Sequence, residues 1–510
     1  MTFSSDIDDF YIHQCVKRNA IRANNNVAIS APEWQLTWEQ LSALGSTLAA
    51  ELSDQGAAPG NTVTIIANRT LSVPVGILGI LRAGCVFNII DSSYPIERIE
   101  KLLTVANPSC VFDATGVVKL SSWGQAIDIS VSSLKKRNLR DFELNVFTAS
   151  HNDPACLTFT SGSSGSPRAV LGRHIGLTAF LSWQTETFNF GSRDVVAMLS
   201  GLSHDPLQRD IFTSWWSGAS LAVPPMNIYD GLGRIAEWMN HTNVSICNLT
   251  PSLARLVSLG FRGSVSKLRL VFLVGEVIKA SDIANIQAWA PNAEIVGLYG
   301  ATETQRALLH HRIMPGTTPV DPIPLGIAPP GMEIKIIDEA GLTRTDGSRG
   351  QICIKSPYIA LGYQDKSEGQ GGFALDKDGT SVYYTGDVGS VSSSGAIIFH
   401  GRKDRQIKIR GFRVDLAEIE AAAGQLKNIS SARAKWWSET QSLVLYVVWN
   451  GSVLPSGDFL AFLKRQLPQP AIPTRIITLP EFPLSPNGKV NDALLPDPQD
   501  EQLLPLIRVS

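Results

Sequence analysis

Apolar residues recurring every three to four positions mark LTWEQLSALGSTLAAELSDQG (36–56) as an amphipathic helix that Gly56 ends, and TVTIIAN (62–68) as a short apolar strand behind it. SVPVGILGILRAG (72–84) reads as helix again and CVFNII (85–90) as extended chain. Such alternation continues to about residue 340 and predicts βαβ units, that is, parallel sheets covered by helices. From about residue 330 the texture changes to short β-rich pieces, MEIKIID, GQICIKS and AIIFHGR, separated by Gly, Ser and Asp turns that signal hairpins. The stretch after Asp404 has its own rhythm: RQIKIRGFRVD as a strand pair, LAEIEAAAGQL as a helix, SLVLYVVWNG as a strand and GDFLAFLKRQLP as a helix. That is enough for a small α+β domain of roughly 100 residues. The expectation is therefore an α/β protein. Residues 1–402 form a large N-terminal domain of helix-covered sheets with a β-rich subdomain, and residues 403–510 a small, mobile α+β C-terminal domain.

Composition narrows the class without naming a chemistry. The chain has 510 residues, 44% of them hydrophobic and 18% charged, and 29 prolines, as an ordinary globular protein has. Its formal net charge is −2 and no long run of like charges occurs, which gives no footprint for nucleic acid or an anionic membrane. The start, MTFSSDIDDF, is acidic where a secretory signal would be basic and then apolar. The most apolar segment, residues 71–90, is interrupted by Pro74, Arg82 and glycines and reads as a buried helix leading into a strand, not a membrane span. The six cysteines, Cys15, Cys85, Cys110, Cys156, Cys247 and Cys353, show neither a CxxC pair nor a nearby His at ligand spacing. They read as reduced core thiols of a cytoplasmic protein acting on small molecules.

Candidate chemistry starts with LTFTSGSSGSPRAVLGRH (157–174). A Ser/Gly run alone reads as a surface loop. Here an apolar strand leads into Thr160–Ser166, and Pro167 and Arg168 follow, which suits a polyphosphate: glycines admit backbone N–H groups, hydroxyls add donors and a cation neutralises charge. It is not the GxxxxGK[ST] loop. A second stretch, SHDPLQRD (203–210), introduces an apolar helix with Asp205, Arg209 and Asp210, although charges are rarely buried without partners. Asp205 and Arg209 are one helical turn apart and can face one site together, whereas Asp210 is expected to point elsewhere as a cap or surface charge.

In order along nearly the whole chain, LTWEQL (36–41), VFNIIDSSYPIERI (86–99), the Ser/Gly loop, GLYGATETQ (297–305), YYTGDVG (383–389), GRKDRQIKIRGFRVDLAEIE (401–420) and PLSPNGKVND (483–492) resemble the motifs of the adenylate-forming (ANL) superfamily, specifically peptide-synthetase-type adenylation domains. The resemblance implies an ATP-dependent, AMP-forming, carboxylate-activating ligase using Mg2+. By that resemblance Thr160, Ser161, Gly162, Ser163, Ser164 and Gly165, with Arg168, would cradle phosphates. Tyr299 would pack on adenine, Thr302 would contact the α-phosphate and Glu303 would hold the metal. Asp387 would accept the ribose hydroxyls beside Arg402, Lys489 would bridge substrate carboxylate and α-phosphate, and Asp404 would be the hinge of the small domain. Two positions depart from the family: Arg168-Ala169 stand where Lys-Gly is usual, and Leu361 where Arg is common.

The pocket wall lined up in this way comprises Asp205, Pro206, Arg209, Asn248, Phe272, Val274, Leu298, Arg306 and Ala307. An acidic residue suits a substrate ammonium, and two arginines imply a second carboxylate besides the one activated. HDPLQRDIFTSWWSGASLAVPP, LTPSLARLV, FLVGEVIKASD and LYGATETQRA are similar to the adenylation domain of fungal α-aminoadipate reductases. A 2-aminoadipate-like amino dicarboxylic acid is thus the expected substrate. No carrier-type serine motif and no GxGxxG unit follows residue 492, so the thiol acceptor is expected in trans, a carrier-protein phosphopantetheine or coenzyme A. The alternatives are an acyl-CoA ligase for another carboxylic acid and a truncated, non-catalytic paralogue.

Overall fold

A computed structural model describes residues 11–116, 126–137, 150–160, 167–365, 371–483 and 490–499, and residues 306–308 and 507–508 as backbone. The chain divides into two compact units. One comprises Met1–Ser92, Ala106–Phe159 and Ala169–Lys403; the other comprises Ser93–Val105, Thr160–Arg168 and Asp404–Ser510.

Parallel strands leave both sheet faces to be covered, which is why they read as unbroken apolar runs. In the first unit an eight-stranded sheet runs Arg306–Ile313, Glu294–Ala301, Leu270–Val274, Ile246–Leu249, Val195–Ala197, Ser220–Ala222, Val27–Ser30, Gln35–Thr37. Its inner pairs are parallel, and an antiparallel strand closes each edge. Alternate residues of these strands enter different cores: Val196, Ile246, Phe272 and Val296 share one with Ile65, Phe87 and Phe112 of the other large sheet, while Ala197, Cys247, Val271 and Ile295 enter a second. That other sheet has seven strands in the order Gly362–Tyr363, Arg168–Arg173, Pro154–Thr160, Val86–Asp91, Thr62–Ala67, Cys110–Asp113, Ile127–Asp128. A third sheet of five, including Glu333–Ile337, Gly350–Lys355, Ser381–Val391 and Ile397–Arg402, is antiparallel in its pairings.

Local signals act as read. Helix Trp38–Asp54 starts at Thr37, whose hydroxyl accepts from the Gln40 N–H at 3.2 Å, and the chain leaves it through Gly56 at φ +82°. Helix Ser72–Arg82 is buried throughout and leads to strand Val86–Asp91. Arg82 is tolerated there because it donates to Ser46 Oγ at 2.7 Å and Ser42 Oγ at 2.9 Å and to the Ser42 carbonyl. All six cysteines are free thiols. No helix among the described residues is long and apolar enough to cross a membrane.

In the second unit a hairpin of Gln406–Ile409 and Phe412–Asp415 precedes helix Leu416–Ala423 and a four-stranded sheet ordered Ile429–Trp437, Ser442–Trp449, Arg475–Thr478, Ile507–Arg508. Ile419, Leu445, Phe459 and Leu463 fill its core.

Candidate active site

Strand pairing brings together Asp387 and Arg402, two of the residues expected at the nucleotide. Ser381–Val391 and Ile397–Arg402 run antiparallel with Asp387 opposite Arg402. Arg402 Nη1 donates to Asp387 Oδ1 at 2.5 Å and Nη2 to the Thr385 carbonyl at 3.1 Å. Tyr299, near the end of strand Glu294–Ala301, donates its hydroxyl to Asp387 Oδ2 at 2.5 Å. Burial, reinforced by the Asp387 charge, holds the Tyr299 hydroxyl well above its usual range, so it stays a donor. Each carboxylate oxygen has one donor and a lone pair to spare, which is what recognition of a diol asks of it.

The strand of Tyr299 turns through the 3-10 segment Thr302–Thr304. Glu303 there is fully buried; its Oε1 accepts from the Tyr363 hydroxyl at 2.9 Å and its carbonyl from Ala360 N at 3.1 Å. Gln305 adopts φ +53° and lays its amide along the backbone of Arg173, Oε1 accepting from N–H at 2.7 Å and Nε2 donating to C=O at 2.9 Å. The approach is so close that a Cβ on Gly172 would stand 2.5 Å from Gln305 Nε2, and one on Gly176 would stand 2.6 Å from its Oε1. Arg173 in turn donates through Nε to the Ile359 carbonyl at 3.0 Å and through Nη1 to Asn152 Oδ1 at 2.9 Å. The turn that holds Thr302 and Glu303 is thus fastened to the strand Arg168–Arg173 that follows the Ser/Gly loop. Nothing in the sequence reading assigned roles to Gln305, Arg173 or Tyr363; the available signal was two glycines, at 172 and 176, in an otherwise ordinary strand and helix.

The third group sits at the start of helix Pro206–Ser217. Asp205 is its half-buried N-cap and Pro206 opens the first turn. Arg209 is only 2% exposed, and its Nε has no hydrogen-bond partner. Burial lowers its pKa, an effect opposed by the charges of Asp205 and Asp210. The expectation for Asp210 is wrong: it is neither cap nor surface charge but fully buried, Oδ2 accepting from Ser200 N at 2.9 Å and Oδ1 from Asn248 Nδ2 at 2.9 Å. An i, i+1 relation to Arg209 could not reveal that a strand from elsewhere supplies the partner. Burial pushes the Asp210 carboxyl up to about 7.

Asn248 and Phe272 are paired in register, as are Val274 and Leu298, toward the C-terminal ends of parallel strands where ligands of open α/β sheets bind. Phe272 is wholly buried, edge-on to Phe188 and Phe190 with ring centroids 5.1 and 6.1 Å away. His204 and Gln208, neighbours of Asp205, line a cleft with Phe87, Ile89, Leu157 and Thr158. Thr160 ends its strand buried, and Arg168 opens the next. Leu361 is 52% exposed and bonds only through backbone N–H to the Leu171 carbonyl among its described contacts. In the second unit, Asp404 Oδ1 accepts from Gln406 N at 3.2 Å. Ser161, Gly162, Ser163, Ser164, Gly165 and Lys489, and the side chains of Arg306 and Ala307, lie outside the described residues.

Known proteins resemble this chain over most of its length. The profile described as AMP-binding enzyme matches residues 16–364. An L-2-aminoadipate reductase of Schizosaccharomyces pombe is 29% identical over 98% of this chain and 41% of its own length, so the chain spans about two-fifths of that relative. The Vibrio cholerae adenylation domain AlmE, solved in complex with glycyl-adenosine-5'-phosphate, superposes with a TM-score of 0.80 at 22% identity, covering 94% of this chain and 96% of that one. An artificially fused adenylation–PCP di-domain NRPS from Klebsiella oxytoca gives 0.80 at 21% identity, covering 91% and 93%. At such identities the two structures establish the fold, and the profile establishes descent: the chain belongs to the AMP-binding enzyme family and is an adenylate-forming ligase.

Proposed function

We propose that this ligase activates the distal carboxylate of a 2-aminoadipate-like amino dicarboxylic acid with ATP and passes the acyl group to a carrier-protein phosphopantetheine thiol. The observation that supports this most is Arg209, a guanidinium 2% exposed whose Nε lacks an acceptor, one turn from Asp205. A buried cation short of hydrogen bonds is costly unless an anion meets it. The α-carboxylate of the amino acid head is such an anion, and Asp205 suits its ammonium.

In the reaction a distal carboxylate oxygen attacks the α-phosphorus, the bond to pyrophosphate breaks and the acyl adenylate forms. A thiolate then attacks the acyl carbon and AMP leaves. Tyr299, Asp387 and Arg402 form the nucleoside side of the site, with Asp387 offering its remaining lone pairs to the ribose hydroxyls. By resemblance Thr302, Arg168 and the Ser/Gly loop would donate to phosphate, and Lys489 would place a cation where the two anions converge. Glu303 fits Mg2+ as a single carboxylate, because that ion takes one or two protein carboxylates and completes its shell with phosphate and water. When bound, the ion would neutralise phosphate charge.

The test is pyrophosphate exchange across L-2-aminoadipate, glutamate, neutral amino acids and medium-chain acids. Preference for the amino dicarboxylates is expected, and Arg209→Ala should abolish that preference. Turnover of plain fatty acids instead, or unchanged selectivity in the variant, refutes the reading.

A further inference from the structure

Two unsatisfied groups of opposite polarity belong to residues coupled to one carboxylate, Asp210: Asn248 is bonded to it and Arg209 feels its charge. Arg209 Nε is a buried donor without an acceptor, and Asn248 Oδ1 is a buried acceptor without a donor, its residue 2% exposed. Native structures leave few such atoms, since each costs its full desolvation. Asn248 takes its orientation from Asp210, whose Oδ1 accepts from Asn248 Nδ2 at 2.9 Å, which leaves Asn248 Oδ1 without a donor. The Ser200 N–H, 2.9 Å from Oδ2, keeps the carboxylate from swinging away. Arg69 adds a favourable charge, and the loop ahead of the helix is tied down by Arg69 Nη1 on the Met198 carbonyl at 2.8 Å.

We infer that Asp210 is a positioning residue for substrate selection: by fixing the Asn248 amide it keeps an acceptor oxygen available to the substrate ammonium, beside the guanidinium that meets the α-carboxylate. This rests on the amino dicarboxylate reading given above. Asp210 itself touches no substrate and acts through Asn248.

The swap of the two residues tests it. In Asp210→Asn the new amide can donate to Asn248 Oδ1, which inverts that amide and turns a donor toward the ammonium. The kcat/KM ratio of 2-aminoadipate over adipate should then fall about tenfold, through KM and not kcat, with KM for ATP unchanged. The double variant Asp210→Asn/Asn248→Asp restores a carboxylate oxygen on the substrate side and should return the ratio to within about threefold of wild type. A ratio unmoved in D210N, or lost in a swap variant of native melting temperature, overturns the proposal. If D210N does not fold, the swap variant decides alone. Failure of the substrate reading is seen separately, as a wild type that does not prefer 2-aminoadipate to adipate.

Discussion

Arg209→Met separates a cation kept for substrate from one kept for structure. The side chain is 2% exposed, its Nε lacks an acceptor, and its nearest compensating charges are Asp205, itself half-buried, and Asp210, which burial pushes toward the neutral acid. An unsatisfied buried donor costs about 1–3 kcal/mol, which its removal recovers where no ionised partner is left behind. Methionine fills much of the same channel without a charge, so a net gain of about 1–2 kcal/mol is expected. With an unfolding entropy of about 2 cal/mol/K per residue, each kcal/mol moves the melting point of a unit this large by roughly 1 °C. Thermal unfolding at pH 7 should therefore show the variant about 1–2 °C above wild type without ligand. Addition of 2-aminoadipate at about 100 times its Kd should raise wild type by about 3 °C, from about 2.7 kcal/mol of linkage, and leave the variant unmoved. A ligand-free variant several degrees below wild type would show that Asp205 and Asp210 already satisfy the guanidinium, and the substrate argument would fail with it.

Two pH effects of opposite sign should be separable as variant-minus-wild-type differences in urea midpoint. The Asp210 carboxyl is raised to about 7, so the folded state retains a proton that the unfolded chain releases near pH 4. Stability therefore falls as pH rises through that window, by at most ~4 kcal/mol, and Asp210→Asn should remove that slope. His174, lowered to about 4 by burial and by His151, packs with His13 at a ring separation of 6.4 Å; its contribution is present above pH 6.5 and lost as pH falls, by at most ~3 kcal/mol. His174→Gln should flatten the acid limb, and an unchanged limb refutes the assignment. Gln305→Ala removes both hydrogen bonds to the Arg173 backbone and should cost about 2–3 kcal/mol with a lower kcat for exchange; an intact kcat would free the Glu303 turn from that clamp. Tyr299→Phe should raise KM for ATP about 3- to 10-fold with little change in the acid's KM, and an unaltered ATP KM would remove Tyr299–Asp387–Arg402 from the nucleotide site.

The fold was legible where periodicity and order suffice. A parallel strand such as Leu270–Val274 is buried on both faces and appears as an unbroken apolar run. Ile429–Trp437 was missed because it is an edge strand whose Ser431, Arg433 and Lys435 interrupt any apolar run. Tyr299, Asp387 and Arg402 were readable as motif members, but that they bond one another depends on a pairing register, which no motif states. Asp210 was misread because its partner Asn248 is 38 residues away, and the Gln305 clamp was invisible because Arg173 is 132 residues away. Contacts between a side chain and distant backbone leave no local pattern.

The Gln305 clamp has a consequence for descent. A carboxamide bonded to the N–H and C=O of one residue is a fit of two lengths, the side chain's reach and the missing Cβ atoms at 172 and 176. Shortening the side chain to Asn would strand both backbone groups of Arg173, and adding a methyl at either glycine would evict the amide. The coupling is expected to run one way: lineages that acquire a side chain at 172 or 176 must first have given up the glutamine, whereas loss of Gln305 does not free the glycines, because a Cβ at 172 would still stand 2.6 Å from Cys156 Sγ and one at 176 would stand 2.7 Å from the Tyr358 carbonyl. The trio could then serve as a marker that sorts homologues by how the turn carrying Glu303 is anchored, independently of what acid they activate.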